Sequence, residues 1–269
     1  MTGQVSLRIL YCFTSSYIEP FFSLQKAGAD ATWRLSLPPE DQSLAIYAND
    51  SGKFKSLYKA SLIFERLRWG KFGQHFTLIL RYLLKPFGRN LPSWQEKGSD
   101  LLVDIPEGLT FLGFKMLASM DYAAEKQFDW LVLTNLSSYP VCSEIRDFLA
   151  GLEPDMDLYA GKRLPSDINR GISGSFVILS AATIKRILMN KHSWDHSALD
   201  DIALMKLTKQ LSIDPTFLLS ITLTQVANLE EVVHQVKEGT LHYKCGPFLQ
   251  NNLRQDYLLM RMLSRLLNA

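Results

Sequence analysis

The sequence is poor in cysteine. Its three cysteines, Cys12, Cys142 and Cys245, are odd in number and scattered along 269 residues. That excludes a disulfide framework and offers no zinc-ligand spacing, and a reducing compartment is the simpler reading. Long apolar runs are also missing. No uninterrupted stretch reaches the roughly 18 residues that a membrane-spanning helix needs. The opening MTGQVSLRILYCFTSS has no basic segment followed by a long apolar one, so it does not read as a signal peptide. These absences lead to the expectation of a cytoplasmic protein, soluble or peripheral at the inner face of a membrane. A large excess of either charge is lacking as well. The formal net charge is only +2, which gives no indication of nucleic-acid binding. Internal repeats and low-complexity tracts are absent.

What is present suits a packed α/β protein. Hydrophobic residues make up 47% of the chain, too many for disorder. Leu7 to Phe13 reads as a first strand, ended by Thr14-Ser15-Ser16. Ser43 to Tyr47 and Asp100 to Asp104 read as the next two. A helix over about 110–126 precedes a strand at Trp130 to Leu133. Strand, helix, strand at this spacing predicts a mostly parallel sheet flanked by helices, a Rossmann-like single domain over residues 1–269. Further along, Ser143 to Leu152 reads as a short helix, with strands at Leu158 to Gly161 and Ser175 to Leu179. Ser180 to Thr183 caps a helix over Ile184 to Met189. Asp200 to Gln210 is helical, and an amphipathic helix spans about 252–268.

Residues 53–97 stand apart. They hold ten basic residues against two acids, Glu65 and Glu96, so the remainder of the chain is net acidic. Phe, Tyr and Trp are interleaved with the basic residues, and the apolar spacing is helical. One reading is a pair of packed helices with a solvated basic face. The other is a helical insert that meets an anionic membrane surface or a lipid-linked substrate.

The stretch DWLVLTNLSSYP at 129–140 is a buried strand running into a polar turn. In open α/β sheets, ligands bind at the carboxyl ends of strands. After Asp129, however, this strand end carries no acid, histidine or cysteine. Its segment Leu133-Thr134-Asn135-Leu136-Ser137-Ser138-Tyr139 is followed by Tyr159-Ala160-Gly161. Then come Ser173-Gly174-Ser175-Phe176-Val177-Ile178-Leu179-Ser180, Asp200-Asp201-Ile202-Ala203-Leu204-Met205 and His242-Tyr243-Lys244-Cys245. In this order and spacing, the segments resemble the β-1,3-galactosyltransferase/Fringe superfamily of GT-A glycosyltransferases. Its members carry, in turn, motifs like K-T-D-D-D-S-F, Y-x-G, S-G-G-G-Y-V-L-S, E-D-V and H-Y-R. The resemblance covers roughly Phe114 onward. The N-terminal half is consistent with it but carries no signature.

The resemblance implies a GT-A-like fold. It also implies inverting transfer of a hexose or N-acetylhexosamine from a nucleotide-sugar, a UDP-sugar by default, to a glycan or lipid-linked acceptor. Asp201 matches the base, with Asp200 as its alternate; the plain reading is that both favour a helix N-terminus. Thr134, Asn135, Ser137, Ser138 and Lys244 would face the donor, and Ser173, Gly174, Ser175 and Trp194 the acceptor. The family's acids hold Mn²⁺ or Mg²⁺, whereas Asn135 and Ser137 stand in their places. An amide and a hydroxyl supply oxygen without charge, so metal affinity through this loop is expected to be weak. His242 is the remaining metal-ligand candidate, and Lys244, or Lys162-Arg163, could supply the missing positive charge. The competing function is a degenerate domain of this class that binds glycan or a partner protein without turnover.

Overall fold

A computed structural model describes residues 7–49, 91–108, 111–164, 171–223, 238–246, 249–250 and 253–267. The basic segment lies outside the described residues except for its end, where Trp94–Lys97 form a strand. The strands are β1 (Ile9–Thr14), β2 (Gln42–Ala48), β3 (Trp94–Lys97), β4 (Asp100–Val103), β5 (Trp130–Asn135) and β6 (Ser138–Pro140). They continue with β7 (Tyr159–Arg163), β8 (Ile172–Ser180), β9 (Pro215–Phe217), β10 (Ser220–Thr222), β11 (His242–Lys244), β12 (Leu249–Gln250) and β13 (Leu253–Arg254). The helices include α1 (Phe21–Ala27), α2 (Leu112–Glu125), α3 (Cys142–Ala150), α4 (Ala181–Met189), α5 (Asp200–Gln210) and α6 (Asp256–Leu267).

Among the described residues, eight strands make one sheet in the order β3-β4-β2-β1-β5-β8-β7-β9. β4, β2, β1 and β5 are parallel neighbours, and β9 is parallel to β7. β3 and β8 run against the rest. This is the mostly parallel α/β sheet flanked by helices that the sequence leads one to expect.

The central strands are continuous apolar runs because both faces of the sheet are covered. Side chains alternate between two cores. Leu10 and Cys12 of β1, Leu131 and Leu133 of β5, and Val177 and Leu179 of β8 pack under α2, α4 and α5. Tyr11 and Phe13, Trp130 and Val132, and Phe176 and Ile178 pack on the other face against α3 and α6. A fully buried side chain of this size contributes about 1.5–3 kcal/mol, so a one-residue slip of β5 would reverse its whole set of contacts. At the edge of β8, the Ser180 hydroxyl accepts the Thr183 N–H at 3.2 Å and so caps α4.

The reversed direction of β8 shapes the end of the sheet where β5 stops. It sets the start of β8 beside the carboxyl end of β5, with Phe176 opposite Thr134. A second sheet, β10-β11-β6, closes the same end, with Thr222 paired to Lys244 and Lys244 to Ser138. Between β1 and α2, the buried Lys115 ammonium donates to the Ser15 carbonyl and to Glu107 Oε1, each at 2.8 Å. Burial pulls its pKa down and the Glu107 carboxylate opposes that pull.

Candidate active site

A cleft of about 320 Å³ opens at this end of the sheet. Its floor is Cys12 and Thr14 of β1, Ile46 of β2 and Leu133 of β5. Leu112, Met116 and Ser119 of α2 form one wall. Most of the site residues expected from the sequence gather here. Thr134 and Asn135 end β5, Ser173, Gly174 and Ser175 begin β8, Asp200 and Asp201 begin α5, and Lys244 ends β11. Residues as far apart in the chain as Asn135 and Lys244, 109 positions, thus meet, because β8 runs against β5 and β11 pairs with β6.

The acidic side is built on Gly174. The Gly174 N–H donates to Asp201 Oδ2 at 3.3 Å, and the Ile202 N–H donates to Asp201 Oδ1 at 2.9 Å. A Cβ added to Gly174 would lie 3.2 Å from Asp200 Oδ2. Glycine therefore lets both half-buried carboxylates close on the backbone of β8. Ser173 and Ser175 join hydroxyls at 3.1 Å.

The basic side is built on Asn135. Its Oδ1 accepts from the Ser137 N–H at 3.0 Å, from the Ser138 hydroxyl at 3.0 Å and from the Lys244 ammonium at 2.8 Å. The first of these is an Asx turn, the plain reading of this sequence, but the third places a cation at the strand end. Lys162, which ends in the same cleft, donates to Thr222 Oγ1 at 2.5 Å. Burial pulls the Lys244 pKa down to about 8, and Lys162 adds to the effect. Burial also lowers Lys162. Arg163, the other cation of the pair, turns instead onto the Phe217 ring at 5.2 Å.

Four expected residues serve other purposes. Ser137 donates its hydroxyl to Asp256 Oδ2 at 2.8 Å, away from the cleft. Ser138 is buried and bridges Asn135 to the Ser175 carbonyl, the latter at 2.8 Å. These two serines brace the end of β5 and do not line the cleft. Trp194 is buried in the core under α2, where a Cβ on Gly113 would meet its Nε1 at 2.9 Å. His242 is fully buried and stacks flat on Phe176, ring centres 4.7 Å apart. Its Nδ1 lies 2.7 Å from the Ser220 hydroxyl, and burial, followed by Lys162 and Lys244, lowers its pKa.

The resemblance implies Mn²⁺ or Mg²⁺ at this strand end, and the residues do not fit one. Such a cation wants several oxygen ligands with carboxylate charge among them. The Asn135 oxygen already accepts three hydrogen bonds, and the Ser137 oxygen is engaged with Asp256 and Arg254. Among the described residues no three His, Cys, Asp or Glu side chains gather as a metal-binding group.

Sequence reading misses the network behind the loop. Arg254 Nη2 donates to the Ser137 hydroxyl and to Asp256 Oδ2, and the Cys245 N–H donates to the Ser137 carbonyl at 2.7 Å. Asp256 is fully buried at the start of α6. The only sign of it in the sequence is an acid opening an amphipathic helix. Asp256→Ala should cost about 1–3 kcal/mol, because it strands the Ser137 hydroxyl and the Arg254 guanidinium. Urea denaturation would read this as a lower midpoint at unchanged slope.

No protein-family model matches the chain, and no curated protein matches it. Solved structures with a similar chain course include the galactosyltransferase LgtC in complex with donor and acceptor sugar analogs. It is 8% identical over 98% of this chain and 97% of that chain, with a TM-score of 0.46. Another is mouse xyloside xylosyltransferase 1 in its apo form. It is 11% identical over 88% of this chain and 97% of that chain, with a TM-score of 0.40.

Proposed function

We propose that this protein is an inverting glycosyltransferase of the GT-A type, with Fringe-like motifs. It moves a hexose or N-acetylhexosamine from a nucleotide-sugar, a UDP-sugar by default, to a hydroxyl of a glycan or lipid-linked acceptor. One observation carries the reading. One cleft at the carboxyl ends of parallel strands is lined by two carboxylates, Asp200 and Asp201, and by two ammonium groups, Lys162 and Lys244. Sugar transfer asks for that polarity. A base must take the proton of the attacking hydroxyl, and positive charge must meet the departing diphosphate.

In this reading the acceptor oxygen attacks the anomeric carbon. The bond from that carbon to the diphosphate oxygen breaks, its electron pair leaves with the diphosphate, and the hydroxyl proton passes to Asp201. Thr134 adds a motive for a ligand. It lines the cleft, yet its buried hydroxyl has no hydrogen-bond partner among the described residues.

The second reading, a domain that binds glycan or a partner without turnover, is favoured by the helix-start contacts of Asp201. These bonds would serve α5 even without catalysis. Release of UDP from a panel of UDP-sugars with glycan and lipid-linked acceptors separates the two. Acceptor-dependent release is expected. UDP-sugar binding with no release in any combination would leave the binding domain. Placement at a membrane stays a proposal for the basic segment 53–97. Among the described residues no helix is long and apolar enough to cross a membrane.

A further inference from the structure

We propose that the ammonium groups of Lys244 and Lys162 together form a built-in diphosphate site, taking the place of a divalent cation. The inference rests on the nucleotide-sugar reading for the identity of the ligand, but not for the existence of the anion site.

Three observations carry it. First, the strand end does not fit a metal, and a cation of the protein's own occupies the position. Lys244 Nζ sits 2.8 Å from Asn135 Oδ1, on the side chain that would otherwise be a ligand. Second, the two lysines are held side by side. Thr222 is the register partner of Lys244 across β10 and β11, and its hydroxyl accepts from Lys162. A register shift between Gly161 and Arg163 gives Lys162 its course to the cleft while Arg163 goes to Phe217. Third, neither lysine forms an ion pair with a carboxylate among the described residues. Two partly buried ammonium groups in one cleft are costly to fold, the Asp256 carboxylate opposes burial for Lys244 only in part, and an incoming anion relieves that cost.

The surrounding charges agree. Arg254 ends β13 and Asp256 begins α6, Lys162 is on β7, and Asp200 and Asp201 are on α5 at the same cleft. The Asp256 carboxylate also accepts from Arg254 and Ser137, so it does not act on Lys244 alone. The Lys244 ammonium has three N–H donors and Asn135 takes one. Burial holds its pKa near 8. It is therefore charged at neutral pH and loses its proton as pH rises through that value, so anion affinity should fall between about pH 7 and pH 9.

Calorimetric titration of the full chain tests this with inorganic pyrophosphate and with UDP, each in EDTA and in Mn²⁺. The variants are Lys244→Gln, Lys162→Gln and, as a surface control, Lys185→Gln. Pyrophosphate and UDP should bind in EDTA, Mn²⁺ should change affinity less than tenfold, and each cleft variant should weaken both ligands about tenfold or more. Lys185→Gln should match the parent. Circular dichroism checks that each variant is folded, and the charge-preserving Lys244→Arg distinguishes loss of charge from loss of fit. If pyrophosphate binds through the lysines but no UDP-sugar is turned over, the anion site stands and the glycosyltransferase reading falls. If UDP-sugar is turned over only with Mn²⁺ and folded lysine variants bind like the parent, the glycosyltransferase reading stands and this inference is overturned. Absence of any binding of either ligand by the folded protein overturns it too.

Discussion

Asp201→Asn is expected to lower turnover by about 10²–10⁴-fold while leaving nucleotide affinity nearly unchanged. That range is typical of a positioned acid–base group. The split follows from where the side chain sits. Asp201 is held by the Gly174 N–H at the start of β8 and takes no part in the Asn135–Lys244 contact. Asparagine keeps one oxygen, enough for only one of the Gly174 and Ile202 N–H groups that bond separate oxygens of Asp201, and it cannot take up a proton. Asp200 shares the approach to Gly174, so Asp200→Asn is the companion measurement. Loss of activity in Asp200→Asn alone would move the base by one residue. Full activity in both variants would sink the mechanism. The substitution reads on kcat with KM for the donor as its internal control, since an interaction made only in the transition state lowers kcat and kcat/KM together.

Gly161→Ala is expected to destabilise the fold by about 3 kcal/mol or more. Gly161 has φ +149°, where side chains are strained, and a Cβ there would lie 2.1 Å from the Phe176 carbonyl oxygen. That oxygen belongs to the backbone of β8 and cannot swing aside. Relief has to come from parting β7 from β8, which carries both sheet faces in this region. Gly98 gives the comparison. Its φ is also positive at +61°, but nothing lies within 4 Å of an added Cβ, so Gly98→Ala should cost only about 1–2 kcal/mol. Urea midpoints of the two variants separate conformational strain from steric overlap, and equal losses would contradict the close approach at Gly161. A folded remnant of Gly161→Ala should also bind pyrophosphate weakly, because the register shift that directs Lys162 begins at this residue.

The strands that carry the core are readable as apolar runs. Trp130 to Leu133, Ser175 to Leu179 and Leu7 to Phe13 lie close to β5, β8 and β1. The helix expected at Asp200–Gln210 has those ends in the structure. The strands without a sequence signal are short and lie at edges or in the small sheet. β3 is largely exposed and polar, and β6, β10 and β11 have three residues each. Such segments have no period of their own. They become strands because a neighbour offers hydrogen bonds, and the neighbour is known only once the chain is folded.

The site divides in the same way. Asn135, Gly174, Asp201 and Lys244 are singled out by the order of their motifs, and the structure brings them to one cleft. The same motifs also mark Ser137, Ser138 and His242, and the aromatic Trp194 stands just before Asp200; all four are taken up by packing and hydrogen bonds. Residue type and order do not say which way a side chain points. For Lys162 against Arg163 the choice depends on a register shift in β7.

The α/β class, the core strands and the polar strand end lacking acids are legible in the sequence, because apolar periodicity and residue chemistry are local properties. Tertiary structure alone decided that β8 runs backward beside β5, that Lys162 joins Lys244, and that Arg254 and Asp256 brace the loop. Each of these depends on strand direction and contacts between distant segments, which are settled by burying both sheet faces at once.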